Sequence, residues 1–86
     1  FVGPADMSQS LGIPGKSTDP RVVEVAAKVL ETANRYGKAG GINVTSKADM
    51  ERYIDLGARY ILYSSDTGLF AKGLKELAKQ FSPYRI

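Results

Sequence analysis

The 86-residue chain contains no cysteine and no histidine. Without cysteine there is no disulfide to staple a small fold and no thiolate to hold zinc. Nothing then signals an oxidising compartment, and a cytoplasmic protein is expected. Without histidine these residues hold no Ser-His-Asp triad, no imidazole base and no His-ligated metal. Carboxylates, lysines, tyrosines and hydroxyls are what remain for chemistry. Long apolar runs are missing too: none approaches the roughly 18–20 residues that cross a bilayer. No basic segment precedes an apolar one, as it would in a secretory leader. The net charge of +3 comes from 12 basic and 9 acidic residues. The basic ones, such as Lys16, Arg21, Lys28, Arg35, Lys38, Lys47, Arg52 and Arg59, are scattered and not interleaved with aromatics. Neither nucleic acid nor membrane is therefore an expected partner.

The opening residues carry the most information. Phe1 and Val2 are strand formers that run into Gly3-Pro4, and the turn delivers one carboxylate, Asp6. Ser8 to Gly15 reads as a loop or short helical turn, punctuated by Gly12, Pro14 and Gly15. Asp19 then caps a helix, with Pro20 at its first position. Val22, Ala26, Val29 and Ala33 repeat at helical spacing, widened by Val23 and Leu30, and Gly37 provides the left-handed stop after Tyr36. Gly40 to Val44 reads as a short buried strand. Ser46 and Asp49 form a capping pattern for the next helix, whose apolar face is Met50, Tyr53 and Ile54 and whose end is Gly57. Tyr60 to Ser65 is the clearest strand. Asp66 or Thr67 caps a last helix with the stripe Leu69, Phe70, Gly73, Leu74, Leu77, Ala78 and Phe81, and Pro83 stops it.

Strand, helix, strand, helix, strand, helix implies right-handed crossovers and a parallel sheet. Three strands cannot close a barrel and leave long edges unpaired. The order matches about the last three βα units of a (β/α)8 TIM barrel, a fold of about 250 residues. Residues 1–86 are accordingly read as a single partial domain, the C-terminal segment of something larger. An 86-residue unit alone buries only about 60% of its unfolded surface.

In parallel α/β folds ligands sit at the C-terminal ends of the strands. Asp6 lies at one such end, where it could cap the following helix or hold a metal; residue types alone favour capping. Ser64, Ser65 and Gly68 read as helix-capping residues, because no glycine-rich cradle accompanies them. Lys47 and Lys72 read as solvated and not as Schiff-base nucleophiles. Tyr53, Tyr60 and Tyr63 read as packing residues with wet hydroxyls.

Four blocks carry a resemblance: Phe1 to Gly12 (Phe-Val-Gly-Pro-Ala-Asp-Met-Ser-x-Ser-Leu-Gly), Gly37 to Ile42, Tyr53 to Tyr60, and Ser65 to Phe70. Over essentially its whole length the chain resembles the C-terminal part of the HpcH/HpaI aldolase family. The resemblance implies a (β/α)8 barrel in a homo-oligomer, usually a hexamer that exchanges its last helix between neighbours. The implied reaction is class II retro-aldol cleavage of 2-oxo-3-deoxy sugar acids or 4-hydroxy-2-oxo diacids, giving pyruvate and an aldehyde. It implies Mg²⁺ or Mn²⁺ held by a Glu and an Asp, with Asp6 as that Asp. It also implies that the 2-oxo acid's carboxylate meets the backbone N–H groups of Gly3, Ala5 and Asp6, while Pro4 fixes the turn. Asn43 falls where the family lines the pyruvate end of the pocket with an apolar residue. The family's metal-ligating Glu, catalytic His and substrate-binding Arg precede Phe1, so no catalytic residue is expected in this chain. The alternative is a non-catalytic fragment or remnant that acts only in assembly with an N-terminal half.

Overall fold

Val2 lies beside Ile42 as an isolated parallel bridge. Its N–H donates to the Gly41 carbonyl at 2.8 Å, and its carbonyl accepts from the Asn43 N–H at 3.3 Å. The computed structural model describes residues 1–84. Gly3 caps and Pro4 begins α1 (Pro4–Ser10), where proline's missing N–H leaves no gap in the hydrogen-bond ladder. Of the two expectations for the region from Ser8, a loop or a short helical turn, the chain is helical as far as Ser10. Buried Ser8 donates its hydroxyl to the Ala5 carbonyl at 2.6 Å, which sustains the turn until Gly12 breaks it at φ +75°.

Helix α2 (Pro20–Arg35) starts as expected, with the Asp19 carboxylate accepting from the Arg21 N–H at 2.9 Å. The Arg21 side chain also donates to Asp19, which holds its carboxyl below the ordinary value. Val22, Ala26 and Leu30 form the buried row, whereas Val29 is exposed. The expected stripe is rotated because Leu30 packs into the space left by Gly40. A Cβ at Gly40 would stand 2.8 Å from Leu30 Cδ2, closer than carbon atoms tolerate. Gly37, at φ +68°, supplies the left-handed stop.

Strands β1 (Gly41–Val44) and β2 (Tyr60–Tyr63) are parallel, with Gly41 opposite Tyr60 and Asn43 opposite Leu62. Alternation along a strand sends Ile42 and Val44 to one face, where they join Val2, Ala26, Leu30, Tyr53 and Ala58 in the core. The other face carries Asn43, Tyr60 and Leu62 and has no layer on it; Tyr60 and Leu62 are exposed. Near it the Phe1 and Tyr60 rings meet edge to face, centroids 6.0 Å apart. Gly41 is what lets them approach, since a Cβ there would be 2.8 Å from Tyr60 and 2.9 Å from Phe1.

Helix α3 (Lys47–Asp55) is capped by Ser46, whose hydroxyl accepts from the Asp49 N–H at 3.1 Å. Tyr53 is its buried residue, while Ile54 is half exposed. Gly57, at φ +104°, ends it, and Asn34 donates to the Gly57 carbonyl at 3.1 Å. Helix α4 (Asp66–Phe81) is capped by Ser65, not by Asp66 or Thr67: the Ser65 hydroxyl accepts from the Gly68 N–H at 3.0 Å. Asp66 is already helical and bonds its neighbour's N–H, from Thr67 at 2.8 Å. A 3-10 turn (Ser82–Tyr84) containing Pro83 follows. No residue of α4 is buried.

Candidate functional site

The site lies where the parallel strands end and the chain turns into helices. Gly3, at the tip of the opening strand, is followed at once by α1, so the first-turn N–H groups of Ala5 and Asp6 have no partner within that helix. Met7 is the first whose N–H closes a bond, to the Gly3 carbonyl at 2.9 Å. Asp6 is exposed, forms no ion pair within 4.0 Å among the described residues, and does not cap α1. Its carboxylate folds back over the strand tip: a Cβ at Gly3 would stand 3.0 Å from Asp6 Oδ2. Any larger residue at Gly3 would push that carboxylate away.

One strand further on, Asn43 is partly buried and donates its side-chain N–H to the Ser64 carbonyl at 3.3 Å. Ser64 follows β2 with φ +63°, a left-handed conformation uncommon for serine. A cavity of about 70 Å³ opens at the tip of β1, lined by Pro4, Ala5, Ser17, Asn43, Asp49 and Tyr53 among others. Of the residues expected at a site, Ala5 and Asn43 meet there. Gly3 and Asp6 stand beside it without lining it.

Ser17, Asp49 and Tyr53 were not expected at the site. The capping pattern had a signal for Asp49: it puts this carboxylate in the first turn of α3, next to the end of β1. Tyr53 is 2% exposed and its hydroxyl has no hydrogen-bond partner among the described residues, which corrects the expectation of a wet hydroxyl. Burial, and then the negative charge of Asp49, push its pKa up, against the opposing effect of Arg52.

A hard divalent cation prefers oxygen ligands such as the free Asp6 carboxylate. Among the described residues no three His, Cys, Asp or Glu side chains gather as a metal cluster, so Asp6 fits as one ligand of a set that needs others. Lys47 is solvated and lies 3.8 Å from Glu51, and Lys72 is exposed on α4; neither is desolvated as an amine nucleophile requires. Among the described residues no helix is long and apolar enough to cross a membrane.

No family model matches the sequence. Over 81 residues the chain is 35% identical to a 5-keto-4-deoxy-D-glucarate aldolase of Klebsiella pneumoniae and 36% identical to one of Escherichia fergusonii. Each match takes in 94% of this chain and 32% of the relative, so the chain spans about a third of the curated relatives it matches. Two solved structures are similar. A HpcH/HpaI aldolase/citrate lyase family protein from Burkholderia cenocepacia superposes with a TM-score of 0.85 at 32% identity, over 95% of this chain and 32% of that one. A HpcH/HpaI aldolase from Desulfitobacterium hafniense gives 0.73 at 34% identity, over 88% and 31%. The fold is thus that of about the last three βα units of a (β/α)8 barrel.

Proposed function

We propose, for a chain related to the C-terminal part of the HpcH/HpaI aldolases, that it supplies one side of a divalent-metal aldolase site. The reaction would cleave a 2-oxo-3-deoxy sugar acid or a 4-hydroxy-2-oxo diacid to pyruvate and an aldehyde. One observation carries this reading: at the tip of the opening strand a carboxylate without an ion-pair partner among the described residues, Asp6, adjoins first-turn N–H groups at Ala5 and Asp6 that the helix leaves unpaired. Asp6 would be one oxygen ligand to Mg²⁺ or Mn²⁺. Such a cation, when bound, stabilises the enolate charge left by C–C cleavage. The first-turn N–H groups of α1, with that of Gly3, would receive the substrate's carboxylate, an anion suited to a helix start. Asn43 has one amide N–H engaged by Ser64. Its other N–H and its carbonyl oxygen would face the substrate's pyruvoyl end, where they favour an oxygen-bearing group over an alkyl one.

Homo-oligomer formation with exchange of the last helix is proposed for the same protein. Leu69, Phe70, Leu74, Leu77 and Phe81 on α4 are each 51–70% exposed, an apolar stripe that needs a cover. The uncovered sheet face with Tyr60 and Leu62 supports a second reading, a non-catalytic piece that acts only in assembly with an N-terminal half.

The test is metal-dependent pyruvate release from a 2-oxo-3-deoxy sugar acid by the complete protein. Asp6→Ala is expected to lower kcat/KM by at least about 100-fold, since even an outer-shell partner of a metal is worth 10–100-fold. Undiminished turnover in Asp6→Ala removes the ligand assignment. No turnover by the unmodified complete protein leaves the assembly reading in its place.

A further inference from the structure

The junction between β2 and α4 is two residues, Ser64 and Ser65, and the first is in an unfavourable conformation. Ser64 has a positive φ of 63° and is the one non-glycine residue among those described to do so. A side chain in this region crowds the following carbonyl, and serine lacks the strong local preference that lets asparagine or glycine sit there. Such strain persists where neighbours over-determine the conformation. Two bonds do so here. The Ser64 N–H donates to the Val44 carbonyl at 2.6 Å, and Asn43 reaches diagonally across the strand pair to donate to the Ser64 carbonyl at 3.3 Å. The first bond extends the ordinary ladder between the strands and would form with any residue. The second depends on the identity of Asn43. Beyond the junction, Ser65 is extended at φ −152° and caps α4. A Cβ at Gly68 would lie 2.9 Å from the Ser64 hydroxyl oxygen and 3.0 Å from that of Ser65, so the first turn of α4 closes tightly on the junction.

We propose that Asn43 is a latch. By holding the Ser64 carbonyl it keeps Ser64 left-handed, and through Ser64 it sets the direction in which α4 leaves the sheet. This role is positional, independent of any substrate and of the function proposed above. No other element comes between the sheet and the start of α4, so the direction of the helix depends on the conformation of Ser64 and Ser65, the first of which Asn43 helps to hold.

Amide hydrogen exchange on the complete protein, without substrate or metal, tests the latch. Asn43→Leu keeps the side chain's bulk but removes the donor. It is expected to speed exchange at residues 64–69 about fivefold, the worth of one hydrogen bond, and to leave the α2 amides at Ala26–Leu30 unchanged. Ser64→Gly added to Asn43→Leu should bring exchange at 64–69 back toward the wild-type rate, because glycine holds the left-handed conformation without help. If Asn43→Leu loosens α2 as well, Asn43→Asp replaces it, a near-isostere whose carboxylate cannot donate. Wild-type exchange in the donor-less variant overturns the latch. So does a double variant that exchanges as fast as the single one, since Asn43 would then be acting through something other than Ser64.

Discussion

Tyr53 presents the sharpest conflict between a side chain and its surroundings. Its ring is core, beside Val2, Ile42 and Val44, yet its hydroxyl is buried without a partner. A buried polar group left unpaired loses its hydration and gains nothing in return. Tyr53→Phe is therefore expected to raise stability by about 1 kcal/mol, read as a higher denaturant midpoint with an unchanged slope. A loss of stability in that variant would mean that the hydroxyl is bonded after all. The pH dependence follows from the raised pKa. The folded state holds the phenol's proton more tightly than the unfolded chain does. The tyrosine's contribution is thus intact below its ordinary value of 10.0 and is lost as pH rises through the raised folded value. The alkaline slope of stability should flatten in the Phe variant. None of this was legible in the sequence, because a tyrosine on a helix's apolar face carries no mark of whether its hydroxyl reaches water. Asp6 was more legible: the Gly3-Pro4 turn fixes its place at a strand tip, although its backward fold over Gly3 depends on side-chain torsions that the turn does not set.

Among the elements, helix starts were easier to read than helix faces. Asp19-Pro20 and Ser46 mark their helices through bonds made within three residues, so local chemistry decides them. Ser46→Ala is expected to lower stability by about 1 kcal/mol, checked by chemical denaturation. The orphaned Asp49 N–H accounts for the loss, and Ser46→Asp should recover most of it. For α4 the same logic selects Ser65 over Asp66, because the cap residue must be extended and Ser65 is, at φ −152°. Faces depend on what lies opposite. The rotation of α2 toward Leu30 follows Gly40, ten residues away in the connection before β1, and the periodicity within α2 offers Leu30 only at the edge of the stripe. Gly40→Ala tests that packing. The new methyl would meet Leu30 Cδ2 at 2.8 Å and Leu30 Cα at 3.4 Å, and a loss of about 1–3 kcal/mol in unfolding free energy is expected from overpacking.

The whole molecule is longer than its chain length requires. A compact unit of 86 residues has a radius of gyration of about 12 Å; this one has 16.2 Å and extents of 59 × 27 × 18 Å. The excess belongs with α4, which buries none of its own residues. Its apolar stripe suits packing against a further surface better than solvent, and we propose a second copy as that surface. Leu74→Lys with Leu77→Lys is therefore expected to shift the complete protein toward smaller assemblies in sedimentation velocity, with the far-ultraviolet circular dichroism preserved. An unchanged assembly size would show that the stripe is not an interface. Alternation of strands and helices made the barrel segment legible, since the parallel crossovers follow from spacing alone. Spacing alone does not say what covers α4, because a stripe such as Leu69, Leu74 and Leu77 would serve a core and an interface equally.

At about 1.5 Å per residue the sixteen residues of α4 span about 24 Å, and they are rooted at Ser64. The helix is consequently a lever. A tilt of roughly 10° at its root sweeps the far tip, near Phe81, through about 4 Å on that length, nearly the spacing between adjacent strands. A small torsional change at one serine would barely disturb the sheet, yet it would move Leu77 and Phe81 out of register with whatever they dock against.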